Sequence, residues 1–148
     1  MIINIDRTSL FTSIVSLSSF VAKVEYNKEG QSLYDVIKIK EQDRFLIEQH
    51  IEQSVLNLTT RLKEFVSNST NTSITCNFPV SFNTTMVDKV QDAATKYIVN
   101  QAFSKWLKLT IPDRVKEYED IAEQSLTDMM MMIYYRQSPK KRIGWKFK

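Results

Sequence analysis

Apolar residues recur along this chain at helical spacing in four long stretches. Leu10, Ile14, Leu17, Val21 and Val24 fall at steps of four, three, four and three, with Phe11 and Val15 beside them, which predicts a helix over residues 8–23. Asp6 or Thr8 can cap its start. Its opposite face is mostly Ser and Thr rather than charge, the composition of a face covered by neighbours in an assembly. Residues 25–32 are polar, contain Gly30 and read as a loop. Residues 33–39 (LYDVIKI) alternate in part and are β-branched, which predicts a short extended segment. Glu41 and Asp43 then place negative charge in the first turn of a second helix over residues 41–66, whose stripe runs through Phe45 or Leu46, Ile47, Ile51, Val55, Leu58, Leu62 and Phe65 or Val66.

Residues 67–73 (SNSTNTS) read as a polar loop. Beyond it Ile74, Cys76 and Phe78, then Val80 and Phe82, alternate with polar residues, which predicts a strand or short hairpin near residues 73–83 with Pro79 at an edge or turn. Asn83 or Thr84 can cap a third helix that carries Val90, Tyr97, Ile98, Ala102 and Trp106 and ends around residues 107–110. Pro112 suits the first turn of a fourth helix over residues 112–136, about 37 Å long at the α-helical rise. Val115, Tyr118, Ile121 or Ala122, Ser125, Leu126, Met129, Met130 or Met132, and Ile133 form its stripe. Its end, MMMMIYY, is apolar all round, so it should meet another surface or, as methionine often does, fill gaps in a core. The pattern as a whole predicts a mainly α fold: a bundle of about four helices (residues 1–136) with a short extended or β-hairpin insertion and an extended C-terminal arm (residues 137–148).

Composition adds an asymmetry. The 148 residues carry a net charge of +3, yet six of the 20 basic residues and none of the 17 acidic ones lie in residues 136–148, leaving 14 positive against 17 negative, a net −3, in the rest. A chain of this length buries roughly 70% of its unfolded surface and needs no disulfide or metal to hold a core. Its one cysteine, Cys76, has no internal partner and reads as a small apolar residue beside a strand, in a chain suited to a reducing compartment. The sequons at Asn57, Asn68, Asn71 and Asn83 reflect a chain rich in Asn, Ser and Thr. The N-terminus lacks the basic region and cleavage site of a signal peptide, and no apolar run is long enough for a membrane span.

No catalytic constellation stands out: there are no paired histidines, no Gly-rich phosphate loop and no nucleophile elbow. His50 stands alone, off the second helix's stripe, and Glu48 and Glu52 read as a solvated face. Neither enzymatic activity nor a metal or cofactor is expected. The candidate binding residues are Arg136, Lys140, Lys141, Arg142, Ile143, Trp145 and Phe147, because Trp and Arg are the commonest anchors of protein interfaces. Twelve extended residues reach about 40 Å, enough to cross onto a neighbouring molecule.

The order of parts carries a resemblance. A helical body with an extended insertion, Trp106-Leu107 closing the third helix, a Pro-started fourth helix, and YYR followed by Pro-Lys-Lys-Arg together resemble the head-to-tail connector, or adaptor, proteins of tailed bacteriophages, Bacteroides-phage type, from about Leu33 onward. The resemblance implies a non-enzymatic virion protein of the head-tail neck, present in host cytoplasm during assembly. It implies a ring, usually twelvefold, that docks on the portal protein, receives a downstream tail or ring protein and lets DNA pass without sequence-specific binding or a membrane. On these positions Lys140, Lys141, Arg142, Trp145 and Phe147 would be the arm's contacts with the portal or an adjacent subunit. The alternative is a small helical nucleic-acid-binding or regulatory protein whose basic tail contacts phosphate. Against it, residues 41–66 and 113–128 are acid-rich and no basic recognition helix stands out.

Overall fold

The computed structural model describes residues 1–134, in which four long helices and a three-stranded antiparallel sheet make a mainly helical fold. The order is β1 (Ile2–Asn4), α1 (Arg7–Val24), α2 (Tyr34–Ile37), α3 (Arg44–Arg61), β2 (Val66–Ser69), β3 (Ser73–Cys76), α4 (Val87–Thr110) and α5 (Val115–Ile133). Short 3-10 turns, Glu41–Asp43, Thr84–Met86 and Pro112–Arg114, lead into α3, α4 and α5.

Helix α4 is the axis of the bundle. From Tyr97 to Leu107 it is buried on nearly every side, because α1, α3 and α5 all pack on it. Ala93, Ala94, Ala102 and Ser104 keep its surface small enough for close approach, while Tyr97, Phe103 and Leu107 fill the space between. Each large apolar side chain buried in this way contributes about 1.5 to 3 kcal/mol. Asn83 caps the approach to α4, its side-chain oxygen accepting from the Thr85 N–H at 3.1 Å.

Asp6 caps α1 by accepting from the Ser9 N–H at 3.2 Å. Its buried stripe is Leu10, Ile14, Ser18, Val21 and Ala22; Val24, placed on the stripe by spacing, is exposed. The buried Ser18 hydroxyl donates to the Val15 carbonyl at 2.7 Å and accepts from the Ile39 N–H at 3.1 Å, tying α1 to the segment after α2.

Three expectations are corrected. Residues 33–39 hold the short helix α2 rather than an extended segment. The Ser32 hydroxyl accepts from the Tyr34 N–H at 3.2 Å at its start, and the Trp106 indole N–H donates to the Ile37 carbonyl at 2.7 Å at its end. These bonds outweigh β-branched propensity. Helix α3 stops at Arg61, not residue 66: Leu62 to Phe65 turn, and Val66 opens a strand. Residues 67–69, expected to belong to a loop, lie in β2, so β3 is the strand expected near residues 73–83, and the hairpin is β2–β3 over residues 66–76. Pro79 lies in a turn, one of the two places expected for it, and its carbonyl accepts from the Phe82 N–H at 2.8 Å.

The sheet order is β1-β3-β2. Strand β1 sets Ile3 against Ile74, both fully buried, and the Met1 amine donates to the Cys76 carbonyl at 2.9 Å. Cys76 is itself buried in β3, as a small apolar residue, and burial pushes its thiol above its ordinary range. Helix α5 follows the Pro112 start as predicted and packs Val115, Tyr118, Ala122, Leu126, Met129 and Ile133 inward. Its predicted last residue, Arg136, lies outside the described residues.

Candidate interaction surface

The end of α5 is sticky by construction. Met129 and Ile133 are fully buried and Met130 and Met132 half-buried, while Met131 and Tyr134 are exposed at 67% and 52%. Tyr134 packs its ring on Phe65 at 5.8 Å, Phe65 meets Phe78 at 5.6 Å and Phe78 meets Phe82 at 4.8 Å, all edge-on. This aromatic chain joins the ends of α3 and α5 to the loop before α4.

Two shallow grooves flank that end. One of about 400 Å³ runs between Arg61 of α3 and Leu126, Met130, Met131 and Tyr134 of the α5 end; another, of about 280 Å³, lies between Met86 and Asp128, Met131 and Met132. The rest of the outer face of α5 is acidic and partly paired. Arg61 grips Glu123 through two hydrogen bonds of 3.0 and 3.1 Å, Lys108 pairs with Glu119 at 3.3 Å, and Arg114 bridges Glu117 and Glu25 at 3.0 and 2.8 Å. A third groove, about 510 Å³, opens between the Ser/Thr face of α1 (Thr12, Ser13, Ser16) and Thr95, Lys96, Val99 and Asn100 of α4.

The sequence-predicted binding residues, Arg136, Lys140, Lys141, Arg142, Ile143, Trp145 and Phe147, lie outside the described residues. What the structure adds is the point that precedes them: Tyr134, the last described residue, packs on Phe65. Glu48 and Glu52 are ion-paired, Glu48 with Arg44 at 3.3 Å and Glu52 with Arg7 at 2.9 Å. The second of these pairs joins α1 to α3 and was not visible in either helix's own pattern.

His50 sits on the flank of α3, with Nε2 buried and without a hydrogen-bond partner among the described residues. Burial first, and the nearby Lys105 charge second, hold its pKa below the usual 6.5. Below pH 6.5 the unfolded chain therefore takes up a proton that the folded chain refuses, so stability falls as pH drops through 6.5 toward the folded pKa. His50→Leu should flatten that decline relative to the parent, measured by urea unfolding at a series of pH values; parallel pH profiles would show that His50 is not its source.

No described helix is long and apolar enough to cross a membrane, and no three His, Cys, Asp or Glu side chains among the described residues are placed to hold a metal ion. No family model, curated protein or solved structure matches this chain.

Proposed function

We propose that this chain is a structural subunit of a larger assembly, joined to it through the end of α5 and the basic, aromatic segment beyond, in the manner of the head-to-tail connectors its sequence resembles. The observation that carries this reading is the exposed Met131 and Tyr134 at the root of a segment with six positive charges and the anchors Ile143, Trp145 and Phe147. A helix end that is apolar beyond what its own body covers is the usual mark of a surface that another molecule completes. Head-to-tail contacts that repeat around a closed symmetry would cover such surface on every copy, which favours a ring, twelvefold on the resemblance. In that setting the arm binds the portal protein or a neighbouring copy, the ring seats a downstream tail protein, and DNA passes through without sequence-specific contact.

Light scattering and electron microscopy of the purified full chain, against a chain stopped after Arg136, test this. Closed rings, alone or on a portal, that are weakened or lost without residues 137–148 are the expected result. A monomer at every concentration that binds short DNA with strong salt dependence, and loses that binding with the tail, would overturn it in favour of the nucleic-acid reading.

A further inference from the structure

The two edges of the sheet are treated differently. Along β1 the Cys76 N–H donates to the Met1 carbonyl and the Ile5 N–H to the Thr72 carbonyl, both 2.8 Å, so the odd-numbered residues face β3 and Asn4 turns its amide and carbonyl outward. Gln91 of α4 meets both groups: the Asn4 N–H donates to Oε1 at 2.8 Å, and Nε2 donates to the Asn4 carbonyl at 2.9 Å. A side-chain amide thus stands where the next strand would be. On β2 the Thr70 N–H donates to the Ser73 carbonyl at 2.8 Å, so the adjacent pair, Ser69 opposite Ile74, points the Ser69 N–H and C=O away from β3. Among the described residues nothing meets them. Residues 67–69 are all exposed and include neither Lys nor Pro, the residues that usually guard such an edge.

A groove of about 250 Å³ lies beside this edge, lined by Val55, Leu56 and Thr59 of α3, by residues 69–71 and by the Arg7–Glu52 ion pair, and Leu56 is exposed at 63%. The chain holds a segment of matching pattern. Ile143, Trp145 and Phe147 alternate with Gly144, Lys146 and Lys148, the period of a half-buried strand. Tyr134 rests on Phe65, the residue before β2, so the segment's tether starts beside the open edge. Residues 135–141 span up to about 23 Å extended, against about 13 Å for the four residues of β2, so the tether reaches either end of the strand. The charges are complementary: the segment is basic, and the rest of the chain carries a net −3, with 14 positive and 17 negative residues.

We propose that residues 142–148 add to the outer edge of β2 of their own chain as a fourth strand, with Ile143, Trp145 and Phe147 turned onto the α3 groove and Lys146 and Lys148 in solvent. A tether this short gives a same-chain segment an effective concentration of the order of millimolar. The seat is where the segment lies until a partner takes it, and it stands independently of what that partner is.

Amide exchange and tryptophan quenching of the labelled full chain at low concentration test the seat, against a chain stopped after Lys141 and against Ser69→Pro. Proline at this position removes only an outward donor and leaves the bond between Thr70 and Ser73 in place. The Ser69 amide should exchange about tenfold more slowly in the full chain than in the shortened one. Ser69→Pro should leave Trp145 open to acrylamide while the Thr70 amide stays protected; Trp106, buried, contributes a constant background. Equal Ser69 exchange in the full and shortened chains overturns the proposal, and so does protection that grows with protein concentration, which would place the segment on a second copy. Particle mass, read separately, reports assembly: rings that persist in Ser69→Pro leave the functional reading intact, and Ser69 protection without rings leaves the seat intact.

Discussion

Trp106→Ala should lower unfolding free energy by about 3 to 5 kcal/mol, the loss expected when a large buried aromatic is truncated and its cavity is only partly refilled. The indole is 6% exposed, and its N–H reaches the Ile37 carbonyl at 2.7 Å across 69 residues of sequence. Trp106 therefore does two things at once: it fills the space between α4 and α2, and it satisfies the last carbonyl of a four-residue helix that has little stability of its own. Trp106→Phe separates them. It keeps most of the ring and leaves the Ile37 carbonyl unpaired, at an expected cost of about 1 to 3 kcal/mol. Urea titrations read both through the midpoint, with the slope unchanged if the unfolded state is unaffected. A Phe variant as stable as the parent would mean that water replaces the indole at Ile37. Against a total of about 5 to 15 kcal/mol for a typical domain, the Ala variant should be marginal at 37 °C.

Phe103→Ala should cost a similar amount, about 3 to 5 kcal/mol, one turn earlier on α4. Phe103 is fully buried and meets Tyr118 of α5 edge-to-face, centroids 4.7 Å apart at 87°. Tyr118 also lies under the Arg114 guanidinium at 6.0 Å, and Arg114 in turn reaches Glu25 at 2.8 Å, so the ring pair is the centre of a contact that joins α4, the start of α5 and the end of α1. Phe103→Leu, which keeps most of the volume, should cost less than about 1.5 kcal/mol. A double-mutant cycle with Tyr118→Leu should return a coupling of about 0.5 to 1.5 kcal/mol for the aromatic pair. No coupling would mean that Phe103 acts through volume alone. Because α5 carries the sticky end, its release from α4 in Phe103→Ala should also raise aggregation.

The four long helices were legible in the sequence because each buries a continuous stripe, and that period survives any choice of neighbours. Asp6, Asn83 and Pro112 marked their starts for local reasons that need no tertiary contact. The sheet was harder. β3 shows alternation, but β2 is VSNS with nothing fully buried, so hydrophobic pattern could not tell it from a loop. β1 has only three residues and is held by a partner about seventy positions away. Helix α2 depends on Ser32 and on an indole from α4, and a window of four residues contains neither. The predicted binding residues fall in residues 136–148, so the structure speaks to their root at Tyr134 and not to their contacts. The apolar run MMMMIYY has no polar side to turn outward, and Met131 and Tyr134 do stand in solvent while Met129 and Ile133 fill the core.

The sheet's connectivity also constrains how the molecule comes together. Residues 2–4 cannot pair until residues 73–75 are present and positioned, and by then α1 and α3, which lie between them in sequence, must already be close to their final places. Loop closure over that distance is unfavourable until packing rewards it, so the helices should condense first and the N-terminal strand should zip on late. The Gln91 clamp on Asn4 then acts as a latch on that last step. Mutations in β1 should accordingly speed unfolding far more than they slow folding, the signature of contacts made after the transition state.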